Sequence, residues 1–310
     1  MKRLFLGVDC GGTSLRLAAA DASGTILTER IIPTGMAQER ENGLGEAIVS
    51  LVSDLLPDLD RYAYSIGGVG IGLPFVCWDG KAHLCRNVRA LDPVWLDERL
   101  RRSIGAPVGI TNDVKCAALG ESWLGAAKGA DPFVYLNVGT GLSAALFSGG
   151  QVHQGAHNAA GEIAYWAIEP GEPKHLAEGV GPLEEVMSGV GLSGTYRSIS
   201  PGKQKLSAEE IFRKADEGDT LAASVIERGL SYLLPAIANI LTFADPELLV
   251  IGGGVSKGLV RFSGRIESYI GGITPFPPRL AWSSLGGRAG LVGAVHLAMI
   301  TARAEAVIVE

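Results

Sequence analysis

One pattern occurs twice in this chain. An apolar strand, a glycine–threonine turn and a second apolar strand run from Leu4 to Asp21, and the same order returns from Phe133 to Phe147. The first turn is Gly11-Gly12-Thr13, the second Gly139-Thr140-Gly141. They lie too far apart for a solenoid repeat, in which each unit stacks on its neighbour. The pattern constrains the chain to two halves of similar plan facing one another across a cleft. A coincidence of Gly-Thr dipeptides is the competing explanation, because Gly accounts for 43 of the 310 residues, twice the usual ~7%. That excess has no three-residue period, so collagen is excluded. The glycines must serve tight turns and close backbone approach.

Strands alternate with helices along the rest of the chain, which predicts an α/β fold. Further strands are predicted at Ile26–Pro33, Ser65–Leu73, Pro107–Thr111 and Glu247–Ile251. Helices are predicted at Gln38–Leu55, from Asp113 onward, and at Pro182–Met187, Ser207–Asp216, Leu221–Phe243 and Gly290–Ala302. The length suits about two domains. We place their boundary at a hinge near Asp113. Residues 1–113 then form a small N-terminal domain with the helix of about 290–310 packing back on it, and 114–289 a larger C-terminal domain.

Apolar residues make up 47% of the chain and charged residues 19%, which excludes disorder. The net charge of −6 offers no basic field to nucleic acid or an anionic membrane, so a small molecule is the expected partner. Cys10, Cys77, Cys85 and Cys116 contain no C-x-x-C pair, as expected of reduced thiols in a cytoplasmic protein. The N-terminus meets Asp9 before a secretory apolar region is complete, and no window is expected to reach the ~20 apolar residues of a membrane span.

In Val8-Asp9-Cys10-Gly11-Gly12-Thr13-Ser14, a strand ends in a carboxylate and two glycines let the backbone fold close to a ligand. Successive N–H groups in such a turn make an anion nest, and the carboxylate suits a hydrated Mg²⁺. A plain hairpin would use the same glycines. Gly139-Thr140-Gly141 offers the same nest from the other half, and two nests suit a polyphosphate better than either alone. Leu249-Val250-Ile251-Gly252-Gly253-Gly254 runs a strand into bare backbone against which a flat group can lie. A tight strand-to-helix turn explains one or two of those glycines. No G-x-x-x-x-G-K-[ST] is present, so a P-loop is excluded.

Asn112-Asp113 follows a strand and opens a helix, and either residue can serve as its N-cap. The pair can also hold a substrate hydroxyl and take its proton during phosphoryl transfer. Glu162 and Glu184 follow glycine-bearing turns and supply acceptors suited to a polyhydroxylated ligand, although surface glutamates need no such role. Two motifs point elsewhere. Gly189-Val190-Gly191-Leu192-Ser193-Gly194 fits G-x-G-x-x-G but follows a predicted helix, so a dinucleotide fingerprint is not expected. Gly254-Val255-Ser256-Lys257-Gly258 fits the nucleophile elbow, yet only Glu267 and His296 follow as partners for Ser256.

Taken in order, Asp9-Cys10-Gly11-Gly12-Thr13, Asn112-Asp113 with Ala117-Ala118-Leu119-Gly120-Glu121, Gly139-Thr140-Gly141, Ala160-Gly161-Glu162-Ile163 and Ile251-Gly252-Gly253-Gly254 resemble the ROK family of sugar kinases and sugar-responsive repressors. The likeness runs from Leu4 to about His296. It implies an actin-like/hexokinase-like (ribonuclease H-like) α/β fold whose two domains close on ATP–Mg²⁺ and a hexose. By that resemblance Asp113 is the general base, and Asn112, Glu162 and Glu184 contact sugar. Asp9 (holding Mg²⁺ through water), Gly11, Gly12, Thr13, Gly139, Thr140 and Gly141 form the phosphate loops, and Gly252, Gly253 and Gly254 the adenosine turn. Gly72-Leu73-Pro74 and Asn87 are sugar-side elements, although Phe75 stands where the family has Gly.

The chain departs from the family pattern at its zinc site. Tyr165 replaces the expected His, no Cys lies between Tyr165 and Glu184, and Pro182 stands at a Cys position. No structural zinc is therefore expected, and the loop from Glu169 to Gly181 should be ordered by packing. Because the replaced His also touches sugar in the family, Tyr165 leaves the acceptor open between a hexose and an amino or N-acylated hexose, the zinc-less branch including some N-acetylmannosamine kinases. A repressor would carry a helix-turn-helix before the first phosphate loop, which here begins at Asp9, so a kinase is expected. The resemblance also implies a homodimer and transfer to the 6-hydroxyl. A non-catalytic sugar sensor of the same fold, or a serine hydrolase using Ser256, are the alternatives.

Overall fold

The computed structural model describes residues 2–38, 43–61, 64–85, 91–169 and 180–309. The chain divides into two units, unit 1 comprising 1–128, 154–160 and 288–310, and unit 2 comprising 129–153 and 161–287.

In unit 1, β1 (Lys2–Cys10) turns at Gly11–Thr13 into antiparallel β2 (Ser14–Ala20), which pairs with β3 (Ile26–Pro33). Helices α1 (Thr34–Gln38), α2 (Gly43–Ser53) and α3 (Leu56–Arg61) follow; α2 is the helix expected over Gln38–Leu55, and the short α1 and α3 on either side of it were not expected. β4 (Tyr64–Leu73) then lies parallel to β1. The short hairpin β5 (Val76–Trp78) and β6 (Lys81–His83) and helix α4 (Pro93–Ile104) were not anticipated. β7 (Val108–Asn112) closes the order β3-β2-β1-β4-β7 and leads into α5 (Asp113–Leu124).

Alternate residues of β1 serve opposite faces, as the period of a strand requires. Leu4, Leu6 and Val8 pack with Ile48, Val52, Leu96 and Leu100, whereas Phe5 packs with Leu291, Val295 and Ala298 of the C-terminal helix Ala289–Val309. Each such buried aliphatic side chain contributes roughly 1.5–3 kcal/mol. The C-terminal helix also presses on α5, where a Cβ at Gly293 would overlap the carbonyl of Cys116. That contact places α5 in unit 1 and moves the division of the chain past Lys128, beyond the hinge expected near Asp113.

Unit 2 repeats the plan. β8 (Phe133–Val138) turns at Gly139–Gly141 into β9 (Leu142–Ser148), and β10 (Gln151–Val152) follows. Helices α6 (Pro182–Val186), α7 (Gly189–Ile199), α8 (Ala208–Asp216) and α9 (Thr220–Ala244) precede β11 (Leu248–Gly252). Helices α10 (Ser256–Leu259) and α11 (Ser263–Gly271) lead to β12 (Arg279–Trp282). The order β10-β9-β8-β11-β12 has the same antiparallel and parallel pairings as the sheet of unit 1.

By length and composition α9 and the C-terminal helix could each cross a membrane, which corrects the expectation that no window comes close. Both bury a continuous face inside their own unit. α9 does so through Val225, Ile226, Leu230, Leu233 and Ile237, and the C-terminal helix through Leu291, Val295 and Ala298. All four cysteines are free.

Candidate functional site

In unit 1, β1, β4 and β7 are neighbours, and their register aligns Asp9 with Gly72 and Gly72 with Thr111. Asp9, Gly72 and Asn112-Asp113 therefore stand together at the carboxyl ends of three parallel strands. Open parallel sheets take ligands at such carboxyl ends. Asn112 caps α5, its Oδ1 accepting the Val114 N–H at 2.9 Å, while Asp113 Oδ1 accepts the same N–H at 2.8 Å. The capping reading of Asn112 is thus correct, and Asp113 sits in the first helical turn, where the dipole favours a carboxylate.

Burial raises the Asp9 carboxyl to a pKa of about 6, against the opposing pull of Arg16. Gly290, in the first turn of the C-terminal helix, leaves room for it, since a Cβ there would begin 2.7 Å from Asp9 Oδ1. Burial likewise lifts the Cys10 and Cys116 thiols, and the charges of Asp9 and Asp113 add to both shifts. The two carboxylates therefore share one region of unit 1. The turn itself is braced by Gly11 N donating to Ser14 O (3.0 Å) and by Thr34, whose Oγ1 donates to Gly11 O at 2.7 Å. Thr34 is fully buried and had no signal in the sequence. Asn87, the other sugar-side candidate, lies outside the described residues.

In unit 2 the Gly139–Gly141 turn is held from three sides. Gly189 and Val190 of α7 donate their N–H groups to the carbonyls of Gly139 (2.7 Å) and Thr140 (3.2 Å). Glu184 Oε2 accepts the Leu142 N–H at 2.9 Å, so this carboxylate braces the turn as well as standing among the sugar candidates. Gly253, at φ +90°, presses on Val138, where a Cβ would overlap the carbonyl oxygen. Glu162 is placed by the carbonyl of Gly161, which accepts from Ala144 N (2.9 Å) and Ser143 Oγ (3.1 Å) on β9. Tyr165 ends the short 3-10 turn that follows, and it is half-buried.

A groove of about 550 Å³ opens beside this turn, within the usual range for a small-molecule site. Gly139, Thr140, Ser193, Arg197, Lys205 and Gly254 are among its lining residues. Of the three-glycine run only Gly254 reaches the groove. The G-x-G-x-x-G segment, set aside as a dinucleotide fingerprint, forms the helix α7 that makes one wall, with Ser188 as its N-cap. Arg197 and Lys205 were missed, because a basic residue on a helix or loop carries no mark of its neighbours. Among the described residues neither is in an ion pair, and no group of three His, Cys, Asp or Glu side chains is placed to hold a metal. Residues 170–179 of the expected zinc-less loop lie outside the description.

The ROK family model matches residues 5–300. Among similar proteins, a glucokinase of Halalkalibacterium halodurans is 32% identical over 82% of this chain and 81% of its own length. An N-acetyl-D-glucosamine kinase of Yersinia enterocolitica is 29% identical over 82% of this chain and 85% of its own. The crystal structure of a ROK hexokinase from Thermus thermophilus superposes with a TM-score of 0.78 at 26% identity, covering 97% of this chain and 99% of that one.

Proposed function

The chain belongs to the ROK family and has its actin/hexokinase-like fold, and from that premise we propose that it is an ATP-dependent sugar kinase acting on the 6-hydroxyl of a hexose or of an amino or N-acylated hexose. The alignment of Asp9, Gly72 and Thr111 on adjacent parallel strands, directly before Asn112-Asp113, carries this reading.

Unit 1 serves the acceptor. Asn112 and Asp113 hold the sugar hydroxyl, and Asp113 takes its proton as the hydroxyl oxygen bonds to the γ-phosphorus. The bond from that phosphorus to the β–γ bridging oxygen breaks, and ADP leaves. Unit 2 serves the donor and adds further sugar contacts. The Gly139–Gly141 nest binds phosphates, and the groove past Gly254 to Arg197 and Lys205 takes the nucleoside. Glu162, Tyr165 and Glu184 are the further sugar contacts, with Tyr165 at the position that bears on the choice between a hexose and an amino or N-acylated hexose. Asp9 fits a hydrated Mg²⁺ in being a single carboxylate near a strand end, just before the Gly11–Thr13 turn. When bound, that ion neutralises charge developing on the phosphates.

The serine hydrolase alternative has nothing in its favour. The Ser256 hydroxyl donates to the Gly253 carbonyl at 2.7 Å, and the ring of His296 stacks on Trp123 within unit 1. The sensor alternative differs in predicting sugar binding without ADP release. ADP release measured over a panel of hexoses, 2-amino hexoses and N-acetyl hexoses tests the proposal. Sugar-dependent release with at least one of them is expected, and sugar binding without any release would overturn it.

A further inference from the structure

Lys115 lies in the first turn of α5, two residues beyond Asp113, and is 2% exposed. A buried ammonium is tolerated only where acceptors replace its water. Its Nζ donates to the backbone carbonyls of Gln154 (3.2 Å) and Asn158 (2.5 Å). Both belong to Gln154–Ala160, a short segment of unit 1 whose flanking chain on either side is unit 2.

Three other contacts tie the same segment to unit 1. Asn158 Nδ2 donates to the Cys77 carbonyl at 2.7 Å, Thr111 Oγ1 lies 3.5 Å from Gln154 Oε1, and the His157 ring meets Trp78 edge-on with centroids 4.7 Å apart. Asn158 holds a φ of 57°, a left-handed conformation kept by a non-glycine residue only where its surroundings fix it. Thr111 belongs to the end of β7, and Cys77 and Trp78 to the hairpin that follows β4. The segment is thus a strap running from one to the other, beside the strand ends that carry Gly72 and Asp113.

Resting on the assignment of unit 1 to the acceptor, we propose that Lys115 is a positioning residue: its buried ammonium locks the strap 154–160 in place as a fixed wall of the acceptor-sugar pocket. Removing the charge leaves two carbonyls without their donor and frees the strap at the end nearest Asp113, while the Asn158–Cys77 tether persists. The donor groove contains none of these residues, so donor binding is insulated from the change.

The test uses Lys115→Met, Lys115→Arg and Asn158→Ala in the full chain. In ligand-free hydrogen exchange, strap amides of Lys115→Met should exchange roughly tenfold faster than those of the wild type. Its sugar KM should rise roughly tenfold with the ATP KM held within about twofold. Lys115→Arg should recover most of both, and Asn158→Ala, altered at an exposed position, should raise the sugar KM by a smaller factor. Unchanged strap exchange in Lys115→Met, or sugar and ATP KM values rising together, overturns the proposal. Should Lys115→Met not fold, an unchanged sugar KM in Asn158→Ala overturns it. Loss of the kinase reading itself shows separately, as absent ADP release in the wild type, and strap exchange still decides the role of Lys115.

Discussion

The two units share a strand order but not a chemistry. In unit 1 the turn after the first strand is flanked by carboxylates, Asp9 and Asp113, and by two buried thiols. In unit 2 the corresponding turn is flanked by one carboxylate, Glu184, by backbone amides, by the α7 wall, and by Arg197 and Lys205. Under the proposed function, one topology would serve proton transfer in one copy and anion binding in the other. The bracing differs too. Gly11–Thr13 is tied by Thr34 and its own hairpin, whereas Gly139–Gly141 is locked by α7, Glu184 and Gly253 together.

The sharpest way to break this contrast is Asp113→Asn. If unit 1 supplies the base, turnover should fall by about 10²–10⁴-fold while sugar binding, read by calorimetry, persists. Gly253→Ala strikes the other side. A methyl group overlapping the Val138 carbonyl at φ +90° should destabilise the protein by about 2–4 kcal/mol. Urea unfolding measures that loss, and nucleotide affinity should fall with it.

Asp9→Asn tests the electrostatics of unit 1. Asp9 binds its proton more tightly folded than unfolded, so its effect on stability is most favourable below about pH 4 and is lost as pH rises through about 6. The amide escapes that loss. The variant should therefore gain about 2 kcal/mol over the wild type at pH 8 and nothing at pH 4, as seen by thermal unfolding. Arg197→Ala should have the mildest effect, raising the ATP KM about fivefold, near 1 kcal/mol, with the sugar KM unmoved. A reciprocal result, in which only the sugar KM moves, would erase the division of labour between the units.

Much of this arrangement was legible in the chain because glycine-rich turns and strand ends carry local signals. The paired turns, the strands around them and Asn112-Asp113 before α5 could all be read from spacing. Helix α4 was readable and overlooked. Asp92 caps it by accepting from Val94 and Trp95, Pro93 opens it, and Gly105 closes it in the left-handed conformation. Other features have no local signature. Lys115 is buried by a segment far along the chain, Thr34 serves a turn formed before it, and Glu184 reaches a β9 amide from α6. The division of the chain also escaped local reading, because α5 is claimed by a helix at the opposite end of the sequence.

That last contact bears on synthesis. Unit 1 is stitched from segments far apart in the sequence, so its sheet leaves the ribosome with Phe5, Ala18 and Ala20 uncovered until residues 289–309 have been made. Unit 2 has its sheet and its covering helices in hand sooner. The nascent chain thus carries a half-finished domain throughout translation, and that naked face is where chaperones or wrong partners have their longest opportunity.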